Sequence, residues 1–166
     1  MSDLPHPEES LVLISLGSNL GDRQRHLNIG LQEIASLRCH MDRRSSFYET
    51  EPWGMHDQPK FVNGACGIYT SMEPKKLLEQ LQEIERKCRR ERVEKWGPRT
   101  LDIDIISYGD IEMSTPILRL PHPHFRQRPF VLEPLAEIYP DHIISGKTVA
   151  EHLKLLQLQA SKTHNQ

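Results

Sequence analysis

Asp102 and Asp104 lie in the stretch Trp96-Gly97-Pro98-Arg99-Thr100-Leu101-Asp102-Ile103-Asp104-Ile105-Ile106, and their spacing defines the chemistry open to them. Leu101, Ile103 and Ile105 alternate with the two acids, which is the period of a strand, where side chains alternate faces. Both carboxylates therefore share one face, with Cα atoms roughly 6.5–7 Å apart. Such a pair beside a buried apolar face is costly unless a cation or a basic neighbour meets it. Hard oxygen ligands on a rigid strand suit Mg²⁺, which takes one or two carboxylates plus substrate phosphates. Just upstream runs a cationic series: Arg86, Lys87, Arg89, Arg90, Arg92, Lys95 and Arg99. Metal-holding acids beside phosphate-seeking arginines point to nucleotide chemistry. The competing reading is an Asp-x-Asp that is merely the wet face of a half-exposed sheet. It is weakened by the Gly-Pro turn, the basic run and the Trp at the junction.

Other residues could frame a ligand. Phe61 opens a β-rich segment, and Phe130 follows Arg126-Gln127-Arg128-Pro129. Each is either a core aromatic or one half of a pair that sandwiches a flat heterocycle, a geometry offset stacking favours. Asn63 would share a strand face with Phe61 and can read a ring's donor and acceptor edge; a satisfied strand-edge amide is the equal alternative. Gly146-Lys147-Thr148 matches only the tail of a phosphate-binding loop. Asp141 stands where that motif needs glycine, so a turn followed by a helix cap is expected. His122-Pro123-His124 lacks further ligands and reads as surface or hydrogen-bonding histidine rather than a zinc site.

The elements that must position these residues follow from patterning. The chain has 166 residues, 37% hydrophobic and 27% charged, with a formal charge of −2. That length fits a single domain over 1–166, with residues 1–9 and 159–166 as loose tails. The slight net acidity argues against a general nucleic-acid binder. Cys39, Cys66 and Cys88 are scattered and read as reduced thiols, and no signal-peptide or membrane-spanning run is visible, so a cytoplasmic protein is expected. Leu11–Leu16 reads as a central strand. Asp22 can cap a helix over 22–37, carrying Leu27, Leu31, Ile34 and Leu37 on one stripe. Gly30 inside it costs roughly 1 kcal/mol against alanine, which suggests a close packing contact. A second strand is expected over 39–48, a long loop over 50–59 and a third strand over 61–70. A helix over 73–88, capped by Ser71, buries Leu77, Leu78, Leu81, Ile84 and Cys88, with Gln82 and Glu85 together beside that stripe. The Asp-bearing strand follows over 100–108. This order predicts an α+β fold: a ferredoxin-like βαββαβ core with both helices on one face of an antiparallel sheet. Proline-rich turns, a further strand or short helix and a helix near 148–158 would complete it.

Several of these pieces, in order over about residues 11–140, resemble the 6-hydroxymethyl-7,8-dihydropterin pyrophosphokinases (HPPK) of folate biosynthesis. They include Leu16-Gly17-Ser18-Asn19-Leu20-Gly21-Asp22, Ser46-Phe47-Tyr48-Glu49-Thr50-Glu51-Pro52, Asp57-Gln58-Pro59, Phe61-Val62-Asn63 and Trp96 through Ile106. Pro121-His122 and Arg128-Pro129-Phe130-Val131-Leu132-Glu133-Pro134-Leu135 complete the set. The resemblance implies transfer of a diphosphate from ATP to a pterin alcohol, with AMP released. It implies Asp102 and Asp104 as ligands of two Mg²⁺ ions and, with Arg89, Arg90 and Arg92, as catalytic residues. Phe61 and Phe130 would stack on the pterin and Asn63 would bond its edge, helped by groups around Thr50, Pro52 and Trp53. Gln82, Glu85, Lys95, Trp96, Arg99, His122 and Arg128 would surround ATP, with 89–95 in a loop that closes over it.

Some positions depart from the family pattern. Either Arg89 or Arg90 could pair with Arg92, Trp53 stands where a smaller aliphatic is common, Phe61 where tyrosine is frequent, and Pro123 where a tyrosine often follows the histidine. The implied partners are ATP and the pterin; no nucleic acid and no membrane are expected, and with no dimer signature in the sequence a monomer is expected. A metal-dependent nucleotidyl transferase or nuclease would instead need polynucleotide and show strong salt dependence. A non-catalytic sensor would lack the metal ligands or the basic loop, and both are present.

Overall fold

The nearly unbroken apolar run from Leu11 to Leu16 needs cover on both faces, which is the environment of a central strand. In the computed structural model, which describes residues 8–50, 60–90 and 100–164, that run is the middle of the sheet. Strand β1 spans Ser10–Ser18, followed by α1 (Arg23–Ala35), β2 (His40–Arg44), β3 (Tyr48–Thr50), β4 (Phe61–Thr70), α2 (Pro74–Arg90) and β5 (Asp102–Tyr108). Two short strands, β6 (Met113–Ser114) and β7 (Arg119–Leu120), lead to a 3₁₀ turn at Phe125–Gln127 and to α3 (Pro129–Ile138). A small hairpin, β8 (Ile143–Ile144) and β9 (Lys147–Thr148), then feeds α4 (Val149–His164).

The main sheet runs β2-β4-β1-β5, with β3 also paired to β4, and the pairings are antiparallel. Helix α1 carries the chain from β1 over β4 to β2, and α2 carries it from β4 over β1 to β5. This is the split βαβ order expected of a ferredoxin-like core. Leu27, Leu31 and Ile34 of α1 and Leu77, Leu81 and Ile84 of α2 pack on Val12, Ile14, Leu16, Ile103 and Ile105, so both helices cover one face. On the other face Leu13, Ala65 and Ile106 meet Val131, Leu132, Leu135 and Ile138 of α3, with Phe125 beside them. Asp22 caps α1 by accepting from the Arg25 N–H at 3.2 Å. A methyl group on Gly30 would sit 3.0 Å from Leu101 and 3.2 Å from Leu16, so the close contact suggested by that glycine is present.

Three expectations need correction. The strand expected over 39–48 is two strands, because the chain leaves the ladder at Ser45, whose N–H still donates to the Ala65 carbonyl at 2.9 Å. The Ser45 hydroxyl accepts from Ala65 N–H at 2.8 Å, while Ser46 N–H turns to the carboxylate of Glu137. Ser71 does not cap α2. The first turn closes from Leu77 N–H onto the Glu73 carbonyl, with Pro74 at the first helical position, where its missing N–H is harmless. The short helix expected among the proline-rich turns is α3, started by Pro129 and running through Pro134. The chain beyond 159 is not loose as far as His164, since α4 continues through it. The turn-then-cap reading of Gly146-Lys147-Thr148 holds. Ser145 and Gly146 have φ of 52° and 82°, as a tight hairpin requires, and Thr148 and Glu151 exchange bonds of 3.1 and 3.2 Å as a capping box.

Candidate active site

The second face of the sheet changes character along β1. Leu13 is buried under α3, but the next two residues on that face are Ser15 and Gly17. Register places Asp104 opposite Ser15 and Asp102 opposite Gly17 on one side, with Ala65 and Asn63 opposite them on the other. The two acids and Asn63 therefore lie on one side of adjacent strands, on the floor of a cleft of about 500 Å³. Phe61 and Thr50, paired across β3 and β4, line one wall. His124, Gln127, Arg128 and Phe130 line the other.

Local bonding fixes several of these groups. Asn63 is 4% exposed, and its Nδ2 donates to Thr50 Oγ1 at 2.7 Å, which leaves Oδ1 as an acceptor. A Cβ on residue 17 would come within 2.8 Å of that oxygen, so glycine there makes room for the amide. The Arg128 guanidinium lies 4.0 Å from Asp104 Oδ2 and 5.7 Å from the centre of the Phe130 ring. Pro129 starts α3 and so sends Arg128 and Phe130 from the helix entry into the cleft.

A second cleft of about 380 Å³ adjoins the first and shares Asp104 with it. Leu78, Ile103, Ile105, Ile117 and Leu118 give it apolar walls, and Arg119 and His122 add polar groups. Burial, with Arg128 and His124 nearby, pushes His122 down to about 4, so it is neutral at pH 7. Its Nδ1 accepts from the His124 N–H at 3.1 Å, which puts the ring proton on Nε2 as a single donor.

The fold thus brings together Thr50, Phe61, Asn63, Asp102, Asp104, Arg128 and Phe130 in one cleft, and His122 with Asp104 in the next. Gln82 and Glu85 line neither cleft. They follow Leu78 by four and seven residues on α2 and so share its helical face. Arg89 and Arg90 are the last two residues of α2. Pro52, Trp53, Arg92, Lys95, Trp96 and Arg99 lie outside the described residues. Sequence reasoning missed Ser15, Gly17, His124 and Gln127. The first two carried a signal: on the face read Leu11, Leu13, Ser15, Gly17, apolar residues give way to small ones. His124 reads with His122 only as a surface or hydrogen-bonding histidine, and Gln127 carried no signal, because the 3₁₀ turn that presents them is set by tertiary packing.

Two carboxylates facing an open cleft, with a further oxygen-rich substrate to complete the shell, fit a hard divalent cation such as Mg²⁺. Among the described residues no group of three metal-binding side chains exists. Among them too, no helix is long and apolar enough to cross a membrane.

Comparison with known proteins gives a consistent picture. The family model for 7,8-dihydro-6-hydroxymethylpterin-pyrophosphokinase (HPPK) matches residues 13–140. The chain is 40% identical over 151 residues to the 2-amino-4-hydroxy-6-hydroxymethyldihydropteridine pyrophosphokinase of Synechocystis sp., covering 89% of this chain and 77% of that one. It is 43% identical over 144 residues to the protein of that description from Methylorubrum extorquens, covering 86% and 91%. Among solved structures, wild-type Plasmodium falciparum HPPK-DHPS with pteroate superposes with a TM-score of 0.75 at 13% identity. That match covers 100% of this chain but only 45% of the other, and supports the fold alone.

Proposed function

The chain belongs to the 7,8-dihydro-6-hydroxymethylpterin-pyrophosphokinase family, and from that premise we propose how its clefts carry out the reaction. The activity is transfer of the pyrophosphoryl group of ATP to 6-hydroxymethyl-7,8-dihydropterin in folate synthesis. The hydroxymethyl oxygen attacks the β-phosphorus in line. The bond from β-phosphorus to the α,β-bridging oxygen breaks, AMP leaves with that oxygen, and the hydroxyl proton passes to solvent. Transfers of this kind depend mainly on positioning and charge neutralisation.

In this reading Phe61 and Phe130 hold the flat pterin between them. Asn63, with its NH₂ committed to Thr50, offers Oδ1 to the ring's N–H edge. Groups around Pro52 and Trp53 extend that recognition. The second cleft takes the nucleotide, flanked by Gln82 and Glu85, with His122 giving one N–H to a phosphate oxygen. Arg89, Arg90, Arg92, Lys95, Trp96, Arg99 and Arg128 bind the phosphates and nucleotide through charge-assisted bonds and stacking. Asp102 and Asp104 hold two Mg²⁺ ions, which when bound neutralise the phosphate oxygens and align them. Asp104, shared by both clefts, stands where the two substrates would meet.

The observation that carries this reading is the acid pair and the Phe61–Asn63 pair on one sheet face across one cleft. Both core clusters share one sheet, which supports a single domain. Cys39, Cys66 and Cys88 are thiols outside any disulfide, which supports a cytoplasmic setting. The test is to mix protein, Mg²⁺-ATP and hydroxymethyl-dihydropterin and follow AMP. AMP forming only when the pterin is present is expected. No AMP with all components present refutes the reading.

A further inference from the structure

We propose that Glu137 is a positioning residue for the pterin slot. Its carboxylate ties α3, which carries Phe130, to β3, which is paired with the strand carrying Phe61 and Asn63. The inference rests on the reading of Phe61 and Phe130 as ring clamps.

Glu137 lies seven residues after Phe130 on α3, two helical turns along the same flank. Its carboxylate accepts from the Ser46 N–H at 3.1 and 2.8 Å and from the Tyr48 hydroxyl at 2.5 Å. The bond from Tyr48 and the two from Ser46 hold Glu137 below the ordinary carboxylate range, against the opposing effect of burial. The same bond, ahead of burial, pushes Tyr48 up to about 12. Tyr48 is opposite Asn63 in the β3–β4 register, and Thr50, two residues on, is opposite Phe61 and bonded to Asn63.

The path from one aromatic to the other is therefore short and rigid: Phe130, α3, Glu137, Tyr48 and the β3–β4 pair, Phe61. The apolar side of α3, through Val131, Leu132 and Leu135, sets the height of the helix above the sheet. It does not fix sliding or roll toward β3, because apolar contact is non-directional. Two donors converge on one carboxylate, the Ser46 N–H shared between both oxygens and the Tyr48 hydroxyl on one; such bonds are directional, and those with an ionised acceptor are the stronger kind. A flat ring held on both faces is sensitive to that lateral spacing, whereas a nucleotide seated against Leu78 and Ile117 in the second cleft is not.

The test is steady-state kinetics on the full chain with pterin and Mg²⁺-ATP varied separately, comparing Glu137→Ala, Glu137→Gln, Tyr48→Phe and Phe130→Ala. Glu137→Ala is expected to raise the pterin KM about tenfold, with kcat and the ATP KM within about twofold. Glu137→Gln keeps an acceptor oxygen and should give a smaller rise, roughly threefold. If Glu137→Ala does not fold, Tyr48→Phe must still raise the pterin KM alone, and failure to do so overturns the proposal. An unchanged pterin KM in folded Glu137→Ala, while Phe130→Ala raises it, overturns the positioning role and leaves the ring clamp intact. No change in either variant overturns both. A parallel rise of both KM values with a fall in kcat and Tm makes Glu137 an ordinary structural contact and also overturns the proposal.

Discussion

The two ends of the sheet's second face are built from the same three strands, yet one is core and the other is the cleft. At the core end Leu13 and Ile106 lie fully buried under α3, and Ala65, opposite Ser15, marks the boundary. At the cleft end Ser15, Gly17, Asn63, Asp102 and Asp104 occupy the equivalent positions, and α3 reaches them only with Arg128 and Phe130 at its entry. The β1–β4 register continues from one end to the other, whereas the β1–β5 register shifts between Leu13 and Ile14, with Ile106 as the extra residue, so a bulge and a change of side-chain chemistry fall together at the boundary. A helix covers the strands where they offer methyl groups, and a ligand site remains where they offer oxygens and space. Stability and chemistry should therefore separate cleanly along a few residues of β1 and β5.

Asp104→Ala should break the cleft end most severely. AMP formation is expected to fall by about a thousandfold, with the circular dichroism spectrum and Tm near those of the parent protein. Leu13→Ala, two residues from Ser15, should do the opposite. A loss of about 2–5 kcal/mol in urea denaturation is expected, with kcat/KM of the remaining folded protein preserved. Should Leu13→Ala abolish turnover in folded protein, the separation of the two ends fails. Gly17→Ala lies between them. Its Cβ would press on Asn63 Oδ1 at 2.8 Å, so the pterin KM should rise at least about tenfold while the ATP KM stays put.

The smallest effect concerns pH. Glu137 is held below its ordinary value of 4.5, so the unfolded chain takes up its proton first as pH falls. Its contribution to stability is complete above that value and is lost as pH drops through the lower folded-state value. Denaturant midpoints measured at pH 7 and pH 3 should therefore converge for the parent protein and Glu137→Gln at the acid end. A constant gap at both pH values would contradict the assignment.

Much of this arrangement was legible in the sequence, for reasons of period. The alternation in 101–106 declared both the strand and the shared face of its acids, and Phe61–Thr70 was readable as one strand to its ends. The pairing of Phe61 with Asn63 on one face followed from the same two-residue rule. Information that depends on distant residues was not legible. The break between β2 and β3 occurs where Glu137, 91 residues away, takes the Ser46 amide, and nothing in the local sequence announces it. Residues 159–164 looked loose from their polarity, yet lysine and alanine are good helix formers and continue a helix already anchored by Val149 and His152. Five prolines obscured the bounds of α3, although Pro129 stands at the one helical position that prolines favour.

The central claim is that Asp102 and Asp104 hold divalent cations against the ATP phosphates beside a pterin clamped by Phe61 and Phe130. Its most direct test is a crystal grown with Mn²⁺, an ATP analogue carrying a methylene in place of the α,β-bridging oxygen, and hydroxymethyl-dihydropterin, with anomalous data collected for manganese. The account predicts manganese peaks in direct contact with the carboxylate oxygens of both aspartates and the pterin ring between the two phenyl rings. Manganese bound elsewhere with both carboxylates turned away, or a pterin outside that slot, would contradict it.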